Sequence, residues 1–172
     1  MSNKKNKISY KPSQGLRQNL SGFGMVGLQG IVFSSQTTIP VTNSNTTTME
    51  IHLPANSLIL DVGLVTIEAI DCATSSTVTL SFGNASGGAQ FVAATQINQT
   101  NTDVAAGTMI SVSQENLVHA SGTKLPVFAV AAPLYAAANR TVYANVAIGG
   151  AELSGAGSVR AFVKYTIVED TY

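Results

Sequence analysis

The chain has 172 residues and no net formal charge at pH 7, and only 10% of its residues are charged. The length allows one domain with a substantial core, while the charged fraction is far below the about 25% of a typical globular protein. The 17 serines and 18 threonines therefore carry much of the polar surface. Such a surface opposes association weakly, because little like charge repels a neighbour. We expect the protein to form a homo-oligomer or to join a larger assembly.

Positive charge is concentrated in the N-terminal segment. Its cations are Lys4, Lys5, Lys7, Lys11 and Arg17. No acidic residue precedes Glu50, and residues 50–172 carry four basic and nine acidic groups. We expect residues 1–22 to be a basic arm that is either a solvated tail or a segment ordered on an acidic partner or a neighbouring subunit. Five cations are few compared with those of a dedicated basic domain, so they do not predict a nucleic-acid partner.

A membrane or secretory destination is not predicted. Residues 1–14 lack the apolar stretch of a signal peptide, and no run approaches 18 uninterrupted apolar residues. Cys72 is the only cysteine, so the chain can form no internal disulfide, and we expect it to be a small buried apolar residue. These features are typical of a protein made in a reducing cytoplasm.

The glycines that follow the arm match the dinucleotide-binding pattern GxGxxG in Gly22-Phe-Gly-Met-Val-Gly27. That site needs a strand before the glycines and a helix after them, so that the helix N-terminus can hold the pyrophosphate. Here the arm precedes them, and Ile31-Val-Phe33 with a Thr-rich stretch follows. We interpret the glycines up to Gly30 as a tightly packed or interface segment and expect no cofactor.

Apolar runs broken by small-residue turns predict strands along the remaining chain. The predicted strands are 49–53, 58–70, 77–82, 108–113, 126–131, 141–148 and 159–168, with a polar loop at 35–48 and a short apolar piece at 90–94 in an otherwise loop-rich stretch. Alternation is clear in the last strand, where Val159, Ala161 and Val163 share one face. We expect the two C-terminal strands to lie inside sheets, and the helix evidence allows at most a single short turn after Pro133. The sequence predicts an all-β fold: one antiparallel β-sandwich, jelly-roll-like, over residues 23–172.

The sequence contains no recognisable pattern of catalytic or metal-binding residues. His52 and His119 are the only histidines, and neither has a Cys or His neighbour at ligand spacing. Glu68 and Asp71 would point to opposite sides of a strand, which favours a solvated strand end over an acid–base pair. The sequence contains no Gly-x-Ser-x-Gly elbow. We therefore expect no enzyme and assign no catalytic or metal residues.

Three segments resemble small β-sandwich virion proteins of tailed bacteriophages. They are IHLPANSLILDVGLVTIEAI at 51–70, TVTLSFGNASGGAQFVAAT at 77–95 and GSVRAFVKYTIV at 157–168. The first is similar to the strand start x-Leu-Pro-Ala-x-x-Leu-Ile-x-x-Val of head decoration, head fibre and cement proteins. The last is similar to their closing strand, Gly-x-Val-x-x-x-Val-x-Tyr. The resemblance covers a little under half of the chain.

This resemblance implies a non-enzymatic protein on the capsid exterior, commonly a trimer, that clamps neighbouring subunits of the major capsid protein. It implies partner contacts in the arm and the glycine segment, at Lys4, Lys5, Lys7, Lys11, Arg17, Gly22, Gly24, Gly27 and Gly30. The alternative is a tail-associated receptor-binding or fibre protein that recognises a cell-surface glycan. Exposed tyrosines would then have to supply the sugar platform, since the chain has no tryptophan.

Overall fold

The computed structural model describes residues 29–43, 45–98, 102–112 and 133–168. Every regular element in these ranges is a β-strand. In chain order the strands are β1 (Gln29–Phe33), β2 (Thr37–Ile39), β3 (Thr46–Leu53), β4 (Ser57–Glu68), β5 (Asp71–Cys72), β6 (Ser76–Gly83), β7 (Val92–Gln96), β8 (Met109–Ser111), β9 (Tyr135–Ala136), β10 (Arg140–Gly150), β11 (Leu153–Gly155) and β12 (Gly157–Ile167). The predicted arm and the predicted strand 126–131 lie outside the described residues.

Two antiparallel sheets form the sandwich. Sheet I has the order β1-β12-β4-β8, with β2 also pairing with β12 and β9 also pairing with β4. Sheet II has the order β3-β10-β6-β7, and β5 and β11 form a separate two-stranded ribbon. The chain passes repeatedly from one sheet to the other, as from β3 to β4 to β6, so the core is built from both. The predicted all-β, jelly-roll-like sandwich is confirmed.

Alternation of side chains places the core between the sheets. In β10, Val142, Ala144 and Val146 are fully buried in the core, whereas Tyr143 and Ala147 are half-buried on the outer side. Val78, Leu80 and Phe82 of β6 are buried as well, on the single face that their spacing predicted. Both C-terminal strands lie between two others, since β10 separates β3 from β6 and β12 separates β1 from β4. Each fully buried branched side chain contributes about 1.5–3 kcal/mol of transfer free energy.

A register shift in β4 decides which side chains face outward. The pairing of β4 with β12 runs Lys164 to Asp61 and then Tyr165 to Ile59, so Leu60 is an extra residue. Such a bulge reverses the alternation. Ile59 before it and Val62 after it are both buried in the core, and Asp61 and Gly63 are left on the outer face of sheet I. A strict period of two could not have predicted this.

The predicted polar loop 35–48 is wrong in part. It contains β2 and the first residues of β3, where β-branched threonines pair readily in strands. Ile39 at the end of β2 is fully buried in the core, so one apolar side chain among polar neighbours was enough to hold this short strand.

After Pro133, where the sequence allowed one short helical turn, the chain forms β9 instead. There the guanidinium of Arg140 donates to the carbonyl oxygens of Pro133, at 2.9 Å, and Leu134. These bonds hold residues 133–136 against the edge of β4, where Tyr135 and Leu58 are paired.

Candidate interaction surface

The outer face of sheet I carries exposed apolar side chains. Phe33 of β1 pairs with Phe162 of β12, Phe162 with Gly63 of β4, and Gly63 with Ser111 of β8, so these four positions form one row across the sheet. In neighbouring rows Ile31 lies beside Lys164, and Val65 lies between Arg160 and Met109. We call Ile31, Phe33, Val65, Met109 and Phe162 the apolar outer face.

Three of these side chains are well exposed. The exposed fractions are 55% for Ile31, 50% for Phe33 and 47% for Met109. Val65 is half-buried and Phe162 is buried. The rings of Phe33 and Phe162 lie 5.9 Å apart between centroids and are tilted by 51°, which is a favourable aromatic arrangement. An exposed apolar patch of this kind makes this sheet face a candidate interaction surface.

Room for the Phe162 ring comes from Gly63. A Cβ atom there would lie 2.5 Å from Cζ of Phe162 and would collide with the carbonyl oxygen of Ile110. Because Gly63 has no side chain, the Phe162 ring can occupy the space next to it. Phe162 is buried there and contacts the ring of the exposed Phe33.

The charged side chains that the outer face of sheet I exposes to solvent are mostly positive. Arg160 and Lys164 are exposed, whereas Asp61, on the same face, is buried. Asp61 Oδ1 accepts from the backbone N–H of Val62 at 2.9 Å, and Oδ2 accepts from the hydroxyl of Ser111. Our expectation of solvated carboxylates holds for the exposed Glu68 and Asp71. The face is suited to a partner surface that is apolar at its centre and has carboxylates opposite Arg160 and Lys164.

Sheet II presents a different outer face, rich in hydroxyl and amide groups. Thr48, Asn145 and Ser81 are cross-strand neighbours in one row. Asn145 is buried there by the loop after β6: its Oδ1 accepts from the N–H of Gly87 at 3.0 Å and from the Thr48 hydroxyl at 2.9 Å, and its Nδ2 donates to Gly88 O at 2.9 Å. One outer face of the sandwich is therefore apolar and the other polar.

Most of the partner-binding residues expected from the resemblance lie outside the described residues: Lys4, Lys5, Lys7, Lys11, Arg17, Gly22, Gly24 and Gly27. Gly30 is described. It pairs with Tyr165 in β12, and a Cβ atom on it would lie 2.9 Å from the Tyr165 ring. Its contact within this chain is thus with the tyrosine ring, and an intermolecular role for it stays a prediction. The sequence did not predict the apolar outer face. It did show the apolar residues Ile31 and Phe33, and it showed which residues of the last strand lie on the side opposite Val159, Ala161 and Val163.

The described tyrosines do not share a face. Tyr165 packs against the core from sheet I, while Tyr143 lies on the polar outer face of sheet II, opposite Glu50. Tyr135 lies in β9, where its hydroxyl donates to Asn56 at 3.1 Å. These three side chains therefore form no common platform for a sugar.

Titratable groups in the described ranges are dispersed, and no three His, Cys, Asp or Glu side chains there come together in a metal-binding group. The exposed ring of His52 makes a 3.0 Å hydrogen bond with the Thr141 hydroxyl and lies 3.9 Å from Glu50. Cys72 is half-buried, more open than we expected. Among the described residues no helix has the length and apolar character needed to cross a bilayer.

Comparison with known proteins gives structural neighbours. No protein-family model matches the sequence, and no curated protein matches it. A chain of the cyanophage Pam1 capsid asymmetric unit aligns with 83% of this chain and 86% of its own length, at 21% identity and a TM-score of 0.50. The likeness is one of fold.

Two other phage structures align less well. A chain from the capsid of Ralstonia phage GP4 has a TM-score of 0.41 and 18% identity over 77% of this chain and 90% of its own. A chain from the acid-stable capsid of Helicobacter pylori bacteriophage KHP30 has a TM-score of 0.38 and 11% identity over 84% of this chain and 100% of its own.

Proposed function

We propose that this chain is a structural, non-enzymatic virion protein: a decoration or cement protein that binds the outer lattice of a phage capsid and stabilises the head. The observation that carries the proposal is the fold, which most of the chain shares with a chain of the cyanophage Pam1 capsid asymmetric unit. The decoration-type motifs at 51–70, 77–95 and 157–168 support it independently. The partner is the major capsid protein, and the protein acts as a homo-oligomer, for which a trimer is favoured.

The two unlike outer faces support a one-sided attachment. A subunit lying on a shell needs one face that can be buried permanently and one that stays in water. The apolar outer face meets the first need, since burial there contributes about 25 cal/mol per Å² of apolar area removed from water. The hydroxyl-rich face of sheet II meets the second. A standard interface buries about 800 Å² on each partner, so the patch would form the centre of a larger contact.

The arm extends the contact to an adjacent subunit. Its five cations, Lys4, Lys5, Lys7, Lys11 and Arg17, are suited to an acidic surface, and the glycines 22, 24, 27 and 30 allow close backbone approach. The proposed binding involves neither a nucleic acid nor a membrane.

Location on the particle is the first test. Virus particles from the source are labelled with gold-conjugated antibody against the protein and viewed by electron microscopy. Label spread evenly over icosahedral heads is the expected result. Label at the tail tip would favour the receptor-binding alternative, and protein found only in soluble fractions would contradict both functions.

The apolar outer face is tested by changing Ile31 and Met109 to Ser together. Both side chains are about half exposed, so we expect little loss of stability and a drop in capsid binding of about tenfold or more, because each 1.4 kcal/mol lost is a factor of ten. Binding is measured by co-sedimentation with capsids that lack the protein. The matched control is Tyr143→Ser on the opposite face, which should bind normally. Equal binding by both variants would show that another surface meets the lattice.

A further inference from the structure

One sheet edge of the sandwich differs from the others. β3 pairs with β10 through eight residues in a single unbroken register, and in the described part of the chain it has no second neighbour. Proteins usually protect such edges with short strands, bulges or interruptions. The other edges have these features: β8 and β9 have three and two residues, β7 pairs through a register shift, and β1 and β2 are separate strands. Within the described ranges β3 is long and regular, and its outer edge is unpaired.

A groove runs along this edge. It has a volume of about 460 Å³, within the range of ligand-binding clefts. One wall is β3 from Thr48 to His52, and the other is the segment from Val32 to Thr37. Glu50 is the only acidic residue that lines the groove, and its carboxylate lies 3.9 Å from His52 Nε2. The groove can therefore accept an extended chain that brings apolar side chains and a cation.

The arm contains a matching sequence. In Lys7-Ile-Ser-Tyr-Lys11, Ile8 and Tyr10 alternate with the polar residues, and Pro12, which lacks a backbone N–H, ends the run. β3 alternates in the same way: Met49 and Ile51 are buried, whereas Glu50 and His52 are exposed. A strand formed by residues 7–11 would place Ile8 and Tyr10 beside Met49 and Ile51, and its lysines on the side of Glu50.

We propose that residues 7–11 of one copy add to β3 of a neighbouring copy as an additional strand at the exposed edge of sheet II. Backbone hydrogen bonds supply the affinity and the alternating side chains supply the register, as in other cases of strand addition. The 17 residues from Pro12 to Leu28 reach about 56–61 Å when extended. Connections inside compact domains are usually about 4–6 residues long, so a tether of this length is suited to reaching another molecule.

This inference assigns residues 7–11 of the arm to a binding site on another copy of the same chain. It does not depend on whether the protein binds a capsid. Its test is cross-linking between two populations of the full-length chain, both with Cys72→Ser. One population carries Ser9→Cys, and the other carries Glu50→Cys and an affinity tag. After mixing and mild oxidation, we expect a disulfide-linked pair of one tagged and one untagged chain.

The control population replaces Glu50→Cys by Ala94→Cys, on the exposed part of β7 at the opposite edge of sheet II. We expect it to cross-link about tenfold less, because only docked partners have a high effective concentration. Equal yields at the two edges would overturn the proposal. It would also be overturned if a Ser9→Cys/Glu50→Cys chain formed only an internal disulfide, since the arm would then lie on its own copy.

A second comparison uses two arm variants of equal charge. Ile8→Asp puts a carboxylate on the side facing the groove, whereas Ser9→Asp puts it on the other side. We expect Ile8→Asp to shift the oligomer to smaller species in analytical ultracentrifugation, with Ser9→Asp close to the unmodified protein. Identical sedimentation of the two variants would contradict the predicted alternation.

Discussion

Gly63 shows how a single residue shapes the candidate surface. The ring of Phe162 and the carbonyl oxygen of Ile110 occupy the space that a side chain would need. In the sequence this glycine stands in an apolar run with no sign of its role, because the ring that covers it comes from residue 162. Long-range packing of this kind is not encoded in local pattern.

We expect Gly63→Ala to destabilise the protein by about 1–3 kcal/mol, the usual cost of overpacking. The backbone oxygen of Ile110 cannot move aside without disturbing the pairing of β4 with β8. Urea unfolding measures the change. Gly30→Ala is the matched control: its Cβ would meet only the far end of the Tyr165 side chain, so it should cost less. A smaller loss for Gly63→Ala than for Gly30→Ala would contradict this account.

Cys72 provides a prediction of pH dependence. Burial raises the pKa of its thiol, and the carboxylates of Asp103 and Asp71 raise it further, against a hydrogen bond from Asn98 that lowers it. Because the folded-state pKa is raised, the folded protein holds this proton more tightly than the unfolded chain does. That contribution to stability is present below the unfolded-state pKa and is lost as the pH rises through the folded-state pKa.

We therefore expect iodoacetamide to alkylate native Cys72 slowly at neutral pH and faster only at a pH above the ordinary thiol range, since the thiolate is the nucleophile. The rate is followed by mass spectrometry in native buffer and in urea. A native rate equal to that in urea at every pH would refute the raised pKa.

At the scale of strands, local pattern predicted the long elements and the short β8, and it missed the short strands β2 and β9. β6 and β12 alternate over many residues, so their inward faces follow from the sequence. β2 and β9 have three and two residues, and they exist because β12 and β4 offer free edges at those places. The bulge at Leu60 is likewise set by the match between β4 and β12, and neither strand shows it alone.

Asn98 joins several of these elements. It is buried beyond the end of β7, where its Oδ1 accepts from the N–H of Val78 at 2.8 Å and its Nδ2 donates to Ser76 O at 2.9 Å. Removing the amide leaves two buried backbone groups of β6 unpaired, each of which costs about 1–3 kcal/mol. We expect Asn98→Ala to lower the unfolding free energy by about 2–4 kcal/mol in urea titration, given this cost. Asn84→Ala, at an exposed position, should change it little, and similar losses in both would argue against the bonding role.

For the whole molecule, the two unlike outer faces and the charge division between arm and body determine how it can associate. The body is mildly acidic and the arm is basic. We therefore expect the arm of one copy to be attracted to the body of a neighbouring copy. The apolar outer face lies on sheet I, whereas the free edge of β3 belongs to sheet II. The two surfaces adjoin at Phe33, which belongs to the apolar outer face and also lines the groove beside β3.

Deletion of residues 2–21 tests the arm at this scale. Since every described strand begins at Gln29 or later, we expect the shortened protein to keep its β-rich circular dichroism spectrum and nearly the same melting midpoint. We expect its attachment to capsids, measured by co-sedimentation, to weaken. Unchanged attachment would return the arm to the status of a solvated tail.

The sequence by itself determined the class of fold, the long strands, the buried faces of β6 and β12 and the basic character of the N-terminal segment. These properties depend on neighbours within one strand or on composition, so they can be read locally. The tertiary structure alone decided the order of the strands, the reversal at Leu60, the exposure of Ile31, Phe33 and Met109 together on one face, and the edge of β3 that no other described strand pairs with. Those properties depend on which distant segments pair, and pairing follows from the packing of the whole chain.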